Sequence, residues 1–127
     1  MREILFRGKR DNGKWVEGNV AYYCDHPDAV FITNRYIYPT KTYIVAPETV
    51  GQFTGLTDKN GVKIFEGDIV TLPGEDNPCE IVWNDTEAKF EFKSFDITAD
   101  FDNYWAQELE VIANKYDYDD PNCWEEW

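Results

Sequence analysis

Residues 51–70 constrain this chain more than any other part of it, because four glycines and an Asn-Gly step cut the run into three short apolar pieces. Asn-Gly is the pair preferred in a type I′ turn, which needs positive φ at both central residues and whose twist matches the strands it joins. Residues 58–61 are therefore expected to form a tight hairpin turn, with a strand over 52–56 entering it and one over 62–65 leaving it. Gly55 reads as a bulge or close-approach site. Glu66-Gly67-Asp68 then redirects the chain into Ile69-Val70-Thr71-Leu72, β-branched enough for a further short strand.

The rest of the chain repeats this grammar. Residues 3–7 alternate as a first strand, and a second Asn-Gly turn at 11–13 leads into a long strand over 15–23. Residues 24–28 read as a loop, 29–33 and 36–38 as hairpin partners, and 42–45 as the strand before the signature run. Strict alternation in Ala88-Lys89-Phe90-Glu91-Phe92-Lys93, after the strand 79–83, predicts a strong late hairpin. Residues 101–107 are the best helical candidate, and 109–112 close a sheet. One domain over 1–116 is expected, followed by an acidic tail over 117–127 that carries Cys123, Trp124 and Trp127. At 127 residues the chain is long enough to bury a core without disulfides.

Thr54-Gly55-Leu56, Asp58-Lys59-Asn60-Gly61 and Glu66-Gly67-Asp68-Ile69-Val70 stand here at the spacing of the YopX-like family of phage and prophage proteins, which this sequence closely resembles. The opening Met1-Arg2-Glu3-Ile4-Leu5-Phe6-Arg7-Gly8 and the segment Glu110-Val111-Ile112-Ala113-Asn114 resemble the family's first and closing strands. The resemblance covers roughly residues 2–116, with 20–48 and 73–108 family-variable. It implies an all-β, mainly antiparallel fold: a small barrel or sandwich with an SH3-like barrel element and at most one short helix. It also implies a protein made in the cytoplasm of an infected or lysogenic bacterium. It supplies no catalytic residues.

Charge narrows the partners. Twelve Lys plus Arg face twenty-five Asp plus Glu, a net charge of −13. Residues 1–14 are locally basic, at +3, while residues 96–127 are locally at −9. Phosphate neutralisation drives nucleic-acid binding, so such a surface argues against direct binding of DNA or RNA and against an anionic membrane. No signal peptide or membrane-length apolar run is visible. Cys24, Cys79 and Cys123 are odd in number and lack a Cys-x-x-Cys pair, which suits reduced thiols in a cytosolic compartment.

Catalytic constellations are missing from the pattern. His26 is the only histidine, in a polar loop, so zinc triads and Ser-His-Asp sets have no second anchor. Glu66 and Asp68 read as a turn device rather than a carboxylate dyad, and Asp117, Asp119 and Asp120 lack the spacing of an EF-hand loop. No enzyme, metal or cofactor is expected.

Aromatic side chains make up 17% of the chain, more than a small β core consumes. Arg35, Tyr36, Tyr38, Lys41 and Tyr43 interleave two cations with three phenols in a family-variable stretch, where a shared scaffold carries its specificity. Tyrosine faces stack on nucleobases and cations hold phosphate. These five residues are the expected ligand site of a non-catalytic, homo-oligomeric phage accessory protein that sequesters a small ligand, a nucleotide signal of host anti-phage immunity being the sharpest case. The alternative is an acidic interaction protein that blocks a basic host protein such as a nuclease or DNA-binding regulator.

Overall fold

Both Asn-Gly steps turn the chain, the second of them at the expected residues 58–61 but not in the expected type I′ form. In the computed structural model, which describes residues 3–34, 38–72, 74, 78–94 and 98–117, Gly61 N–H donates to Asp58 O at 3.0 Å and Gly13 N–H donates to Arg10 O at 3.0 Å. Gly61 and Gly13 take φ of 81° and 82°, whereas Asn60 and Asn12 are not in the positive-φ region. Each step is thus a four-residue turn whose last residue is the left-handed glycine, not a type I′ turn centred on Asn-Gly. The reason at the second turn is a side chain. Asp58 Oδ1 accepts from Asn60 N–H at 2.8 Å and from Val62 N–H at 2.9 Å, which pulls the turn back onto Asp58.

Eleven strands and one short helix are described: β1 (Phe6–Lys9), β2 (Trp15–Tyr23), β3 (His26–Asn34), β4 (Lys41–Val45), β5 (Gly51–Thr57), β6 (Lys63–Phe65), β7 (Asp68–Thr71), β8 (Cys79–Asn84), β9 (Lys89–Lys93), β10 (Thr98–Asp100), α1 (Asn103–Ala106) and β11 (Glu110–Asn114). The strand orders are β4-β3-β2-β1-β5-β6 and β10-β9-β8-β7-β11. The fold is all-β and antiparallel, in two sheets with one short helix, and neither sheet is closed into a barrel. The predicted loop at 24–28 shrinks to a two-residue turn, because Tyr23 pairs with His26 and β3 absorbs the rest. β10 was not predicted, and the helix is shorter than the predicted 101–107. Of the tail, residues 118–127 lie outside the described residues.

The chain divides into two compact units, Met1–Phe53 and Thr54–Trp127. In the first, Gly8 and Gly18 are the points of closest approach. A Cβ on Gly8 would meet Val45 Cγ2 at 2.8 Å and Ile32 Cδ1 at 3.0 Å, and one on Gly18 would run into the backbone carbonyl of Thr33. Beyond β4, Ala46 N–H donates to Lys9 O at 2.9 Å, and Lys9 N–H donates to Thr49 Oγ1 at 2.9 Å, in the 3₁₀ turn Pro47–Thr49. The end of β1 is therefore tied to the segment after β4 by single hydrogen bonds, not by a strand ladder.

The second unit has its own core of Ile64, Val70, Cys79, Ile81, Phe92, Phe101, Ala106 and Leu109. Residues directly opposite in the ladder, Val70 with Cys79 and Ile81 with Phe92, share that face. Each large aliphatic or aromatic side chain buried there contributes about 1.5–3 kcal/mol. Asp102 caps α1 by accepting from Trp105 N–H at 3.1 Å, which sets Trp105 edge-on to Phe92 with ring centroids 5.6 Å apart. Asp58 Oδ2 accepts from Val111 N–H at 3.0 Å, so one carboxylate joins the hairpin turn to β11.

Asp58 is buried. Burial works to raise its pKa, but the donated N–H groups of Val111, Val62 and Asn60, with help from Lys59, outweigh it and hold the carboxyl below its ordinary 3.8. The stability it contributes is complete above that value and is lost as pH falls through the depressed one. Asp58→Asn should lower the unfolding free energy near neutral pH by about 1.5–3 kcal/mol, and the gap to the parent should close in strong acid. Urea unfolding followed by tryptophan fluorescence at several pH values checks both. Gly18→Ala should be destabilising by about 1 kcal/mol or more, since the new methyl must displace the Thr33 carbonyl.

Candidate functional site

β4 carries the described part of the predicted site, and its register places each side chain. Tyr43 lies opposite Ile32 and Lys41 opposite Asn34, so Lys41 and Tyr43 share one face of the strand. On the other face Thr33 Oγ1 and Thr42 Oγ1 share a hydrogen bond of 3.0 Å, which pins that register. Tyr38, in the connection before β4, is 97% exposed and Lys41 is exposed. Arg35 and Tyr36 lie outside the described residues.

The structure adds a residue that the sequence pattern did not single out. Arg10 sets its guanidinium carbon 4.5 Å from the centre of the Tyr43 ring. The Lys9–Ala46 and Lys9–Thr49 hydrogen bonds bring it there, by clamping the end of β1 against the segment that follows β4. Arg7 repeats the device on Trp15 at 4.9 Å. Basic side chains in and just after the first strand thus cover aromatic faces, an attraction worth about 0.5–1 kcal/mol at exposed sites. The only signal for Arg10 in the sequence was the basic excess of residues 1–14.

Charge is divided between the units. Residues 1–53 hold seven Lys plus Arg against six Asp plus Glu, and residues 54–127 hold five against nineteen. The net charges are +1 and −14. The argument from −13 against nucleic acid and anionic membranes therefore draws its force from the second unit and not from the first. There, Lys89 is shared among Asp100 at 2.6 Å, Glu87 at 2.9 Å and Glu91 at 3.9 Å, and the hydrogen bonds from Asp100 and Glu87 push its pKa up.

Other polar groupings have local structural roles. Asp68 Oδ2 accepts from Phe65 N–H at 2.7 Å, the turn device expected of Glu66-Gly67-Asp68. Burial raises the Glu80 carboxyl, opposed by Lys115 with its Nζ 3.9 Å away, while Lys115 N–H donates to Gly67 O at 3.0 Å beside the same turn. His26 is exposed, with Nε2 3.8 Å from Asp25. It lines an open groove of about 380 Å³ together with Asp25, Pro27, Asp28, Ala29, Ile44, Val45 and Pro47. Cys24 is exposed and Cys79 buried, and neither is in a disulfide. Among the described residues no three His, Cys, Asp or Glu side chains are grouped to hold a metal ion, and no helix is long and apolar enough to cross a membrane.

Comparison with known proteins agrees with this architecture. The family model described as YopX protein matches residues 5–122. No curated protein matches the chain. A solved structure, the crystal structure of protein EF1440 from Enterococcus faecalis, is similar with a TM-score of 0.56 and 24% identity, over 90% of this chain and 94% of that one. That likeness is one of fold.

Arg10→Ala should uncover the Tyr43 ring and cost about 0.5–1 kcal/mol of stability, while Arg10→Lys should retain part of it. Urea midpoints of the two variants, with ring-proton shifts of Tyr43, check this.

Proposed function

The chain belongs to the YopX protein family, and from that premise we propose that it is a phage-type, non-catalytic binding protein that sequesters a small anionic ligand bearing an aromatic ring. A nucleotide signal of host anti-phage immunity, met in the bacterial cytoplasm, is the sharpest case. The observation that carries this reading is Tyr38, left 97% exposed three residues ahead of the exposed Lys41 and five ahead of the Arg10-covered Tyr43. A tyrosine so open contributes nothing to a core, and its ring offers a stacking platform worth about 1–3 kcal/mol per base. Lys41 supplies a charge-assisted partner for phosphate. Arg35 and Tyr36 extend the same set along the sequence. The grouping sits in the unit whose net charge is +1, where an anion meets little general repulsion.

A second reading draws on the other unit, whose net −14 suits a basic host protein. Complexes formed that way should weaken steeply with added salt.

Isothermal titration with a panel of linear and cyclic nucleotides tests the first reading. Tyr38→Ala and Lys41→Ala should each weaken binding by about 5- to 100-fold. Heat from no nucleotide, or affinity unchanged when Arg35 and Lys41 are both replaced by Ala, would sink it.

A further inference from the structure

Sheet edges present unpaired backbone N–H and C=O groups, and a protein that is to stay apart from its copies blunts them with shortness, charge, proline or a bulge. Four strands end the two sheet orders here. β6 is three residues long and begins with Lys63. β10 is also three residues long and ends on Asp100. β11 breaks its ladder with a register shift between Val111 and Ala113 and begins with Glu110. Of these devices β4 carries only a charge at its first residue, Lys41. It is five residues long, pairs with β3 in unbroken register, and runs Thr42-Tyr43-Ile44-Val45 after Lys41 without another charge. Ile44 on this edge is 55% exposed. Among the described residues no strand lies on its outer side.

We propose that β4 is the pairing edge of a homodimer, in which two copies join β4 to β4 antiparallel about a two-fold axis through Tyr43. The edge is self-complementary in that register. Tyr43 meets Tyr43, Thr42 meets Ile44 of the second copy, and Lys41 meets Val45. No lysine faces a lysine, and the exposed Ile44 gains the Thr42 methyl as a cross-strand neighbour. Pro39 and Pro47 each stand four residues from Tyr43 and come opposite one another, and because the Ala46 N–H is already taken by Lys9 O the intermolecular ladder is confined to the residues of β4 itself.

Charge complementarity selects a second copy as the occupant. The groove beside Val45 is rimmed by Asp25 and Asp28, and no lysine or arginine lines it. Lys41 of the second copy, placed opposite Val45, arrives next to those two carboxylates, and the symmetry repeats the contact on the other side. An isologous interface of this kind closes at two subunits and does not propagate. It leaves Lys41 and Tyr43 of both copies near the axis, so a ligand site at the hairpin would be doubled. The dimer itself requires no ligand.

Sedimentation velocity of the full chain over a range of concentrations, without nucleotide, tests this. The parent should approach twice the monomer mass. Ile44→Lys, which puts a charge in the middle of the open edge, should weaken dimerisation by about tenfold or more. Ile112→Lys, the same change at an exposed position in the bulged β11, should leave it intact. Circular dichroism establishes that both variants are folded. A parent that stays monomeric overturns the proposal, as does a folded Ile44→Lys that dimerises like the parent, or equal loss in both variants. Because ligand binding is measured separately, failure of the dimer and failure of the ligand reading are distinguishable.

Discussion

One carboxylate carries an unusual share of the C-terminal unit. Asp58 takes three backbone N–H groups, from Asn60 and Val62 in its own turn and from Val111, 53 residues further along the chain. The neighbouring Lys59 N–H donates to Leu109 O at 3.0 Å, so the approach to β11 is held at two adjacent points of the same turn. Hydrogen bonds to a buried ionised acceptor are among the stronger ones available to a small domain, and removing the acceptor would leave several donors without it. The local turn and the placement of the last strand are in this way one event. The core residue Leu109 and the β7–β11 ladder, which pairs Val111 with Val70, follow from it.

The division of charge has a comparable reach. A net charge of −13 treats the chain as a single object, whereas a Debye length of about 8–10 Å at physiological salt makes the local balance the relevant one. The N-terminal unit, at +1, places Arg7 and Arg10 over aromatic rings and leaves Lys41 and Tyr38 open. The C-terminal unit, at −14, surrounds Lys89 with three carboxylates. These are two surfaces with different chemistry, and the binding proposals sort between them: anionic ligand and second copy on the first, a basic protein on the second.

Much of the fold was legible residue by residue. β2 was expected over 15–23 and is observed as Trp15–Tyr23, because a turn signal and a long aromatic and β-branched run coincide there. The β8–β9 hairpin was legible from alternation. β10 was not, since Thr98-Ala99-Asp100 has no apolar period and exists as a strand only through its pairing with Lys93, Phe92 and Glu91. The turn at 58–61 was legible by position but not by type: pair preference speaks for two residues, and the Asp58 side chain decided how four of them turn. At the candidate site, Lys41 and Tyr43 were marked by the interleaving of cations and phenols along residues 35–43. Arg10 was not, because nothing in the thirty-two residues between it and Tyr43 announces the contact.

By itself, then, the sequence determined an antiparallel all-β chain of one family, the positions of its turns, and a stretch rich in aromatic and cationic side chains. Those follow from φ preferences, side-chain alternation and motif spacing, which are properties of neighbours along the chain. Only the tertiary structure decided the cation that covers Tyr43, the separation of charge into two units, and the edge left open at β4. Each of these depends on hydrogen bonds and packing between residues tens of positions apart, and a contact that closes a long loop leaves little trace in the local pattern of either partner.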